Sequence, residues 1–124
     1  MELNEYQKQA MTTCMDSCDN FSYMMLNLVG EVGEFASKVA KHIRKEEMRV
    51  GNELISNIVC DDRIGYAADA DDEELKKEAG DILWQLSGLC KVMGWSLEEV
   101  AQMNLDKLAS RKQRNVIDGD GDNR

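Results

Sequence analysis

Leu3, Tyr6, Ala10, Cys14 and Cys18 follow one another at steps of three and four, with mostly polar residues between them. That spacing keeps side chains on one face of a helix, so a first helix is predicted from about Leu3 to Cys18. Asn20 or Ser22 can cap a second, over about Phe21 to Lys45, whose stripe is Leu28, Val32, Phe35, Val39 and Ile43. Its last turn carries Lys41, Arg44 and Lys45, cations that suit the negative end of a helix dipole. The acidic run from Asp71 to Glu74 predicts the start of a third helix, with Leu75, Ala79, Ile82, Leu86, Leu89 and Met93 on one face and Gly94 at its end. Ser96 with Glu99 forms a capping box for a fourth, in which Leu97, Val100, Ala101, Leu105 and Leu108 lead to about Arg111.

Residues 46–70 keep neither a helical nor a strand period and read as a connection or small insertion. Residues 115–124, ending VIDGDGDNR, are too rich in Gly, Asp and Asn to continue a helix. They read as a flexible tail, a loop able to close over phosphates.

The absence of proline and the abundance of Met, Leu, Ala, Glu and Lys favour an all-α fold, and 124 residues suit a single domain. No apolar run approaches the roughly 18 residues of a membrane span, and Met1–Gln9 lacks the basic and apolar regions of a signal peptide. The expectation is a cytoplasmic protein with no membrane partner. A net charge of -9 disfavours a broad grip on duplex nucleic acid, so a phosphate-bearing partner needs a metal or a local basic pocket. Cys14, Cys18, Cys60 and Cys90 form no CxxC pair and are joined by one histidine, His42, which points to reduced structural thiols rather than a zinc or haem site.

Acidic pairs three apart are common in the chain, and a solvated helix face is their ordinary reading. Glu31/Glu34 and Glu78/Asp81 stand out because a glycine precedes the second acid in each, Gly33 and Gly80. A glycine inside a helix costs about 1 kcal/mol relative to alanine, so both positions predict a close approach to the backbone. Aligned 47 residues apart, Leu28, Glu31, Gly33, Glu34 and Phe35 fall on Leu75, Glu78, Gly80, Asp81 and Ile82. Antiparallel packing of the two helices brings the four carboxylates together, where mutual repulsion calls for a hard divalent cation. Oxygen ligands without His or thiolate suit Mg2+, with Mn2+ able to substitute. No ExxH motif supports a di-iron bundle.

Asn104 and Arg111 fall inside the apolar stripe of the fourth helix and Lys107 falls at its edge. A buried-side Asn and Arg must be paired, either in a structural salt bridge or with a triphosphate. Lys38 and Lys41 can join such a pocket or serve as exposed charge.

Together, NLVGEVGEFASKVAK, ELKKEAGDILWQLSGL and GWSLEEVAQMNLDKLASRK resemble the MazG-like nucleotide pyrophosphohydrolases, over about Leu3 to Arg111 apart from the middle connection and including the final GDGDNR. The resemblance implies a four-helix-bundle-type fold completed by oligomerisation as a homodimer or homotetramer. It implies Mg2+-dependent hydrolysis of a nucleoside triphosphate to the monophosphate and pyrophosphate, in keeping with nucleotide-pool housecleaning. Glu31, Glu34, Glu78 and Asp81 match the family's metal-binding acids, one of them the general base. Asn104, Lys107 and Arg111 match its conserved polar face. Trp84 and Gln85 are the candidates for contact with the base, Gln85 standing where many relatives carry an aromatic. A phosphoribosyl-ATP pyrophosphohydrolase and a non-enzymatic helical interaction module are the alternatives.

Overall fold

The computed structural model describes residues 1–46, 48–49, 56–57 and 64–124, with side chains described for 1–46 and 73–124. The architecture is all-α. Helix α1 spans Leu3–Met11, a short 3-10 turn spans Asp16–Cys18, and α2 spans Phe21–Arg44. Two-residue strands β1 (Met48–Arg49) and β2 (Ser56–Asn57) form an antiparallel pair with Met48 opposite Asn57. Helices α3 (Ile64–Val92) and α4 (Leu97–Gln113) complete the chain.

Local chemistry explains the boundaries. The Asn20 side chain accepts from the Tyr23 N–H at 2.8 Å, and Ser96 Oγ from the Glu99 N–H at 3.0 Å, so each satisfies a donor that the helix start leaves open. Gly94, at φ +76, lets the chain reverse after α3, and the Trp95 N–H bonds back to Cys90 O at 2.8 Å.

Two predicted boundaries are corrected. The first helix stops at Met11 rather than Cys18, because the hydroxyls of Thr12 and Thr13 donate to the carbonyls of Gln9 and Ala10, at 2.6 and 2.7 Å, in competition with the next turn. Cys14 and Cys18 thus share no α-helix; with Cys90 they are free thiols, and Cys60 lies outside the described residues. Helix α3 begins at Ile64, seven residues ahead of Asp71. IGYAADADD has no proline and three alanines, and its single glycine, Gly65, stands in the first turn.

Helices α2 and α3 pack antiparallel. Met24 lies against Gly88, Glu31 beside Glu78 and Asp81, Lys38 on Glu74 and Glu78, and Val39 on Leu75, so ascending positions on α2 meet descending ones on α3. Gly88 makes room for the fully buried Met24, since a Cβ there would lie 2.3 Å from the methionine sulfur and force that side chain to shift. At Gly33 and Gly80, where the sequence predicts close approach, a Cβ meets nothing within 4 Å in this chain.

Gln7 ties α1 to the far end of the hairpin. Its Nε2 donates to Ser87 O and Trp95 O at 3.2 and 3.1 Å, and its Oε1 accepts from the Leu97 N–H at 2.9 Å. Helix α4 packs on α1 rather than along α2 or α3. Its predicted stripe is therefore only partly covered: Leu97 is buried while Leu105 and Leu108 are exposed.

Candidate functional site

The α2–α3 seam brings acids from both helices together because each pair sits one face round from the apolar contacts that join the helices. Glu31, Glu78 and Asp81 each offer a carboxylate oxygen, and these three oxygens lie within 4.8 Å of one another. Glu34, the fourth predicted acid, stands outside this trio and is exposed.

Burial sharpens the electrostatics. Glu78 is buried and Glu31 half-buried, and Glu31 Oε2 and Glu78 Oε2 are enclosed without a hydrogen-bond partner. Burial first, then the charges of Glu34, Asp81 and Glu78, push the Glu31 carboxyl above its usual range, with a hydrogen bond from Asn27 at 3.2 Å opposing the shift. Two orphaned oxygens beside a third carboxylate form an oxygen-only donor set, with no imidazole or thiolate in the trio, and this fits a hard divalent cation.

Lys38 supplies the charge balance present within the chain. Its ammonium meets Glu78 Oε1 at 2.5 Å and Glu74 Oε1 at 3.2 Å, and both bonds raise its own pKa. One oxygen of Glu78 is thus held by Lys38 while the other stays unpartnered. Lys38, a predicted phosphate contact, is committed here to carboxylates.

The polar face of α4 is built separately. Arg111 is 5% exposed, and its Nη2 donates to Gly121 O at 3.3 Å and to Asp122 O and Oδ1 at 3.1 Å each. Lys107 Nζ reaches the same Asp122 oxygen at 3.2 Å. Asn104 is exposed, a correction to its predicted place on the buried side, because α4 packs on α1 and not lengthwise on the α2–α3 hairpin. It lines an open cleft of about 470 Å³ with Trp95, Glu99, Val100, Met103 and Lys107.

The two base-contact candidates have different surroundings. Trp84 Nε1 donates to Ala10 O at 3.1 Å and Thr13 Oγ1 at 2.9 Å, which anchors the end of α1 and spends the indole's polar atom on the fold. Gln85 is 2% exposed with its Oε1 unpartnered, beside the Tyr23 hydroxyl. Sequence reasoning overlooks Asn27 and Asp122. Asn27 carries a readable signal, its place four residues before Glu31 on one helix face; Asp122 meets Arg111 across a turn that no periodicity describes.

The chain is 35% identical over 131 residues to the Gene 37 protein of Mycobacterium phage L5, with all of both chains covered. No solved structure matches it. The model of the MazG nucleotide pyrophosphohydrolase domain matches residues 19–116, which takes in both acid pairs and the α4 face. With that match over most of its length, and an acidic helical hairpin at the centre of the matched region, the chain belongs to the MazG nucleotide pyrophosphohydrolase family.

Proposed function

We propose that this chain is a Mg2+-dependent nucleoside triphosphate pyrophosphohydrolase that cleaves (d)NTP to (d)NMP and pyrophosphate, clearing unwanted nucleotides from the cytoplasmic pool. The observation that carries the reading is the convergence of Glu31, Glu78 and Asp81, with two buried oxygens left without partners, in a chain of this family. These three acids hold the cation. When bound, Mg2+ neutralises the polyphosphate and polarises the phosphorus under attack.

The remaining steps belong to the protein's own groups. Glu34 lies outside the trio yet close enough to raise Glu31, and it is the carboxylate left to take a proton from the attacking water. Lys107 and Arg111 bind the phosphates through charge-assisted hydrogen bonds, and Asn104 adds a neutral polar contact beside them. Gln85, with its unpartnered acceptor, is the better candidate for contact with the base than Trp84. A pyrophosphate-release screen over ordinary and modified nucleotides, run with Mg2+ and with chelator, tests the proposal; no release from any nucleotide in the presence of Mg2+ would sink it.

The active form is proposed to be a homodimer, alone or as half of a tetramer. Leu26, Val29 and Ile43 of α2 are 75, 68 and 41% exposed, and Gly33, Ala36 and Ala40 between them are exposed as well. The six positions follow at alternating steps of three and four, the spacing of a helix–helix seam. An antiparallel second copy sets Leu26 against Ile43, Val29 against Ala40 and Gly33 against Ala36, a self-complementary order that a two-fold axis demands. Parallel copies would instead stack Lys41, Arg44 and Lys45 on their counterparts.

A further inference from the structure

In this fold the predicted phosphate-binding pair of α4 already holds an anion, the carboxylate of Asp122. Arg111 Nη2 and Lys107 Nζ meet the same oxygen, Asp122 Oδ1, at 3.1 and 3.2 Å. Two cations four residues apart on one helix face and sharing one anionic oxygen resemble the way basic side chains receive a phosphate oxygen. The geometry points to Asp122 as an internal stand-in for phosphate, and to residues 115–124 as a latch that a polyphosphate must displace to reach Lys107 and Arg111. This inference rests on the phosphate-binding role given to the pair above.

Three features make the latch exchangeable rather than a fixed strut. The guanidinium is only partly served: Nη2 is divided among three tail acceptors while Nε is enclosed without any partner. A guanidinium edge offers two parallel donors, so an anion with several oxygens can satisfy both where the single Asp122 oxygen cannot. The outer side is open at Asp122 and Lys107, whose side chains are 82 and 39% exposed, so an incoming anion meets Lys107 first and gains the buried Arg111 as Asp122 leaves. Lastly, the tail is closed by contacts that do not involve the Arg111 side chain. Arg124 donates through Nε to Val116 O at 3.1 Å, through Nη2 to Ile117 O at 3.2 Å, and through Nη1 to Gly121 O, while Arg114 Nη2 holds Arg124 O at 2.7 Å. The three Arg124 bonds lie within residues 116–124 and keep the loop folded as it turns about Asn115, whose φ of 57 marks the break after α4, while the Arg114 bond to Arg124 O and the Val116 N–H bond to Arg111 O at 2.9 Å part together with Asp122. Arg111 and Lys107 also hold the Asp122 carboxyl below its usual range through their hydrogen bonds and charges.

The test uses inorganic pyrophosphate as the probe, titrated by calorimetry into the full chain without Mg2+ or nucleotide. Asp122→Asn is expected to tighten pyrophosphate binding about tenfold, the gain from removing a competing exposed ion pair. Asp120→Asn changes the net charge equally at a tail acid for which no bond to Lys107 or Arg111 is seen, and is expected to leave affinity unchanged. In Asp122→Asn/Lys107→Ala the gain disappears. Unchanged or weaker binding in Asp122→Asn overturns the latch; if its thermal midpoint also falls, Asp122 is a brace that positions the pair. An equal gain in Asp120→Asn overturns it too, because net charge would then explain the effect. Since no turnover is measured, the two proposals fail separately. A tenfold gain in a protein that hydrolyses no nucleotide keeps the latch and removes the enzyme reading, whereas hydrolysis with unaltered pyrophosphate affinity does the reverse.

Discussion

Glu31 of α2 and Glu78 of α3, 47 residues apart in sequence, each keep one enclosed oxygen without a hydrogen-bond partner, and with Asp81 each offers a carboxylate oxygen within 4.8 Å of the others. Two like charges at that distance, partly out of water, destabilise one another. Antiparallel packing enforces the meeting, because the apolar contacts on either side, Met24 on Gly88 and Val39 on Leu75, set the register of the hairpin. The seam stores electrostatic repulsion that a bound cation would relieve.

Ligand and base separate by substitution. Glu78→Gln removes a trio oxygen and is expected to lose both Mn2+ binding, followed by the paramagnetic signal of the free ion, and turnover. Glu34→Gln is expected to bind Mn2+ as the wild type does while kcat falls by about 10²–10⁴-fold, the range for loss of a general base. Loss of Mn2+ binding in Glu34→Gln would make Glu34 a ligand and leave the base among the trio.

The raised pKa of Glu31 sets the pH dependence of the metal-free protein. A carboxyl whose folded value lies above the usual 4.5 contributes stability that is present below 4.5 and lost as pH rises through the folded value. Glu31→Gln is therefore expected to melt higher than the wild type at pH 7 in chelator, with the gap closing as pH falls below 4.5. Asp122 has the opposite sign: its carboxyl is depressed, so its contribution is present above the usual 3.8 and lost as pH falls through the lower folded value. Thermal midpoints between pH 3 and 7 with and without Mg2+ check both; an unchanged midpoint for Glu31→Gln at neutral pH would contradict the repulsion argument.

Arg111 and Lys107 divide a structural from a substrate role. Arg111 is buried and holds two tail carbonyls, so Arg111→Ala is expected to cost about 1.5–3 kcal/mol of stability, the range for hydrogen bonds to a charged group. Lys107 is 39% exposed, and its loss is expected to cost less than about 1 kcal/mol. Each is also expected to lower kcat/KM by about 10- to 100-fold through a lost charge-assisted contact to phosphate. Denaturant midpoints set beside kcat/KM decide: a stability loss in Arg111→Ala without a kinetic defect in either variant would place both residues in the scaffold alone.

The parts of the molecule visible in sequence are those fixed by neighbours in the chain. Asn20 and Ser96 are readable as caps because the donors they satisfy lie three residues away, and Leu28, Phe35 and Val39 because one helix face repeats. Glu31, Glu78 and Asp81 are readable as a group only because two similar segments recur and the hairpin is antiparallel. What depends on distant partners is not legible. The pairing of Arg111 with Asp122, the anchoring of Trp84 on Thr13 and the seating of Met24 over Gly88 leave no periodic trace, and Val32 and Ile43, alike in sequence to the core stripe, are 50 and 41% exposed. The apolar arc of α2 is wider than one neighbouring helix covers.

That surplus arc yields the last prediction. At about 100° per residue, the apolar positions of α2 from Met24 and Phe35 round to Gly33 and Leu26 take more than half the helix circumference, and α3 covers only part of it. The wild type is expected to sediment at twice its 14.0 kDa chain mass or a multiple of that, at micromolar concentration. Val29→Asp buries an unpaired charge against Ala40 at both ends of the symmetric contact and is expected to sediment near 14.0 kDa, with helix content retained because Val29 is 68% exposed within its own chain. Gly33→Leu is the sharper variant. Nothing within 4 Å meets a Cβ at Gly33 in the single chain, and replacing a helix-interior glycine stabilises a helix by up to about 1 kcal/mol, so the fold itself tolerates the change. Against Ala36 of an antiparallel partner the added side chain has no room, because the helices approach most closely where both residues are small. A Gly33→Leu protein that unfolds no earlier than the wild type yet sediments as a monomer assigns the α2 face to self-association; one that stays dimeric moves the interface elsewhere, to the exposed Met103, Leu105 and Leu108 of α4.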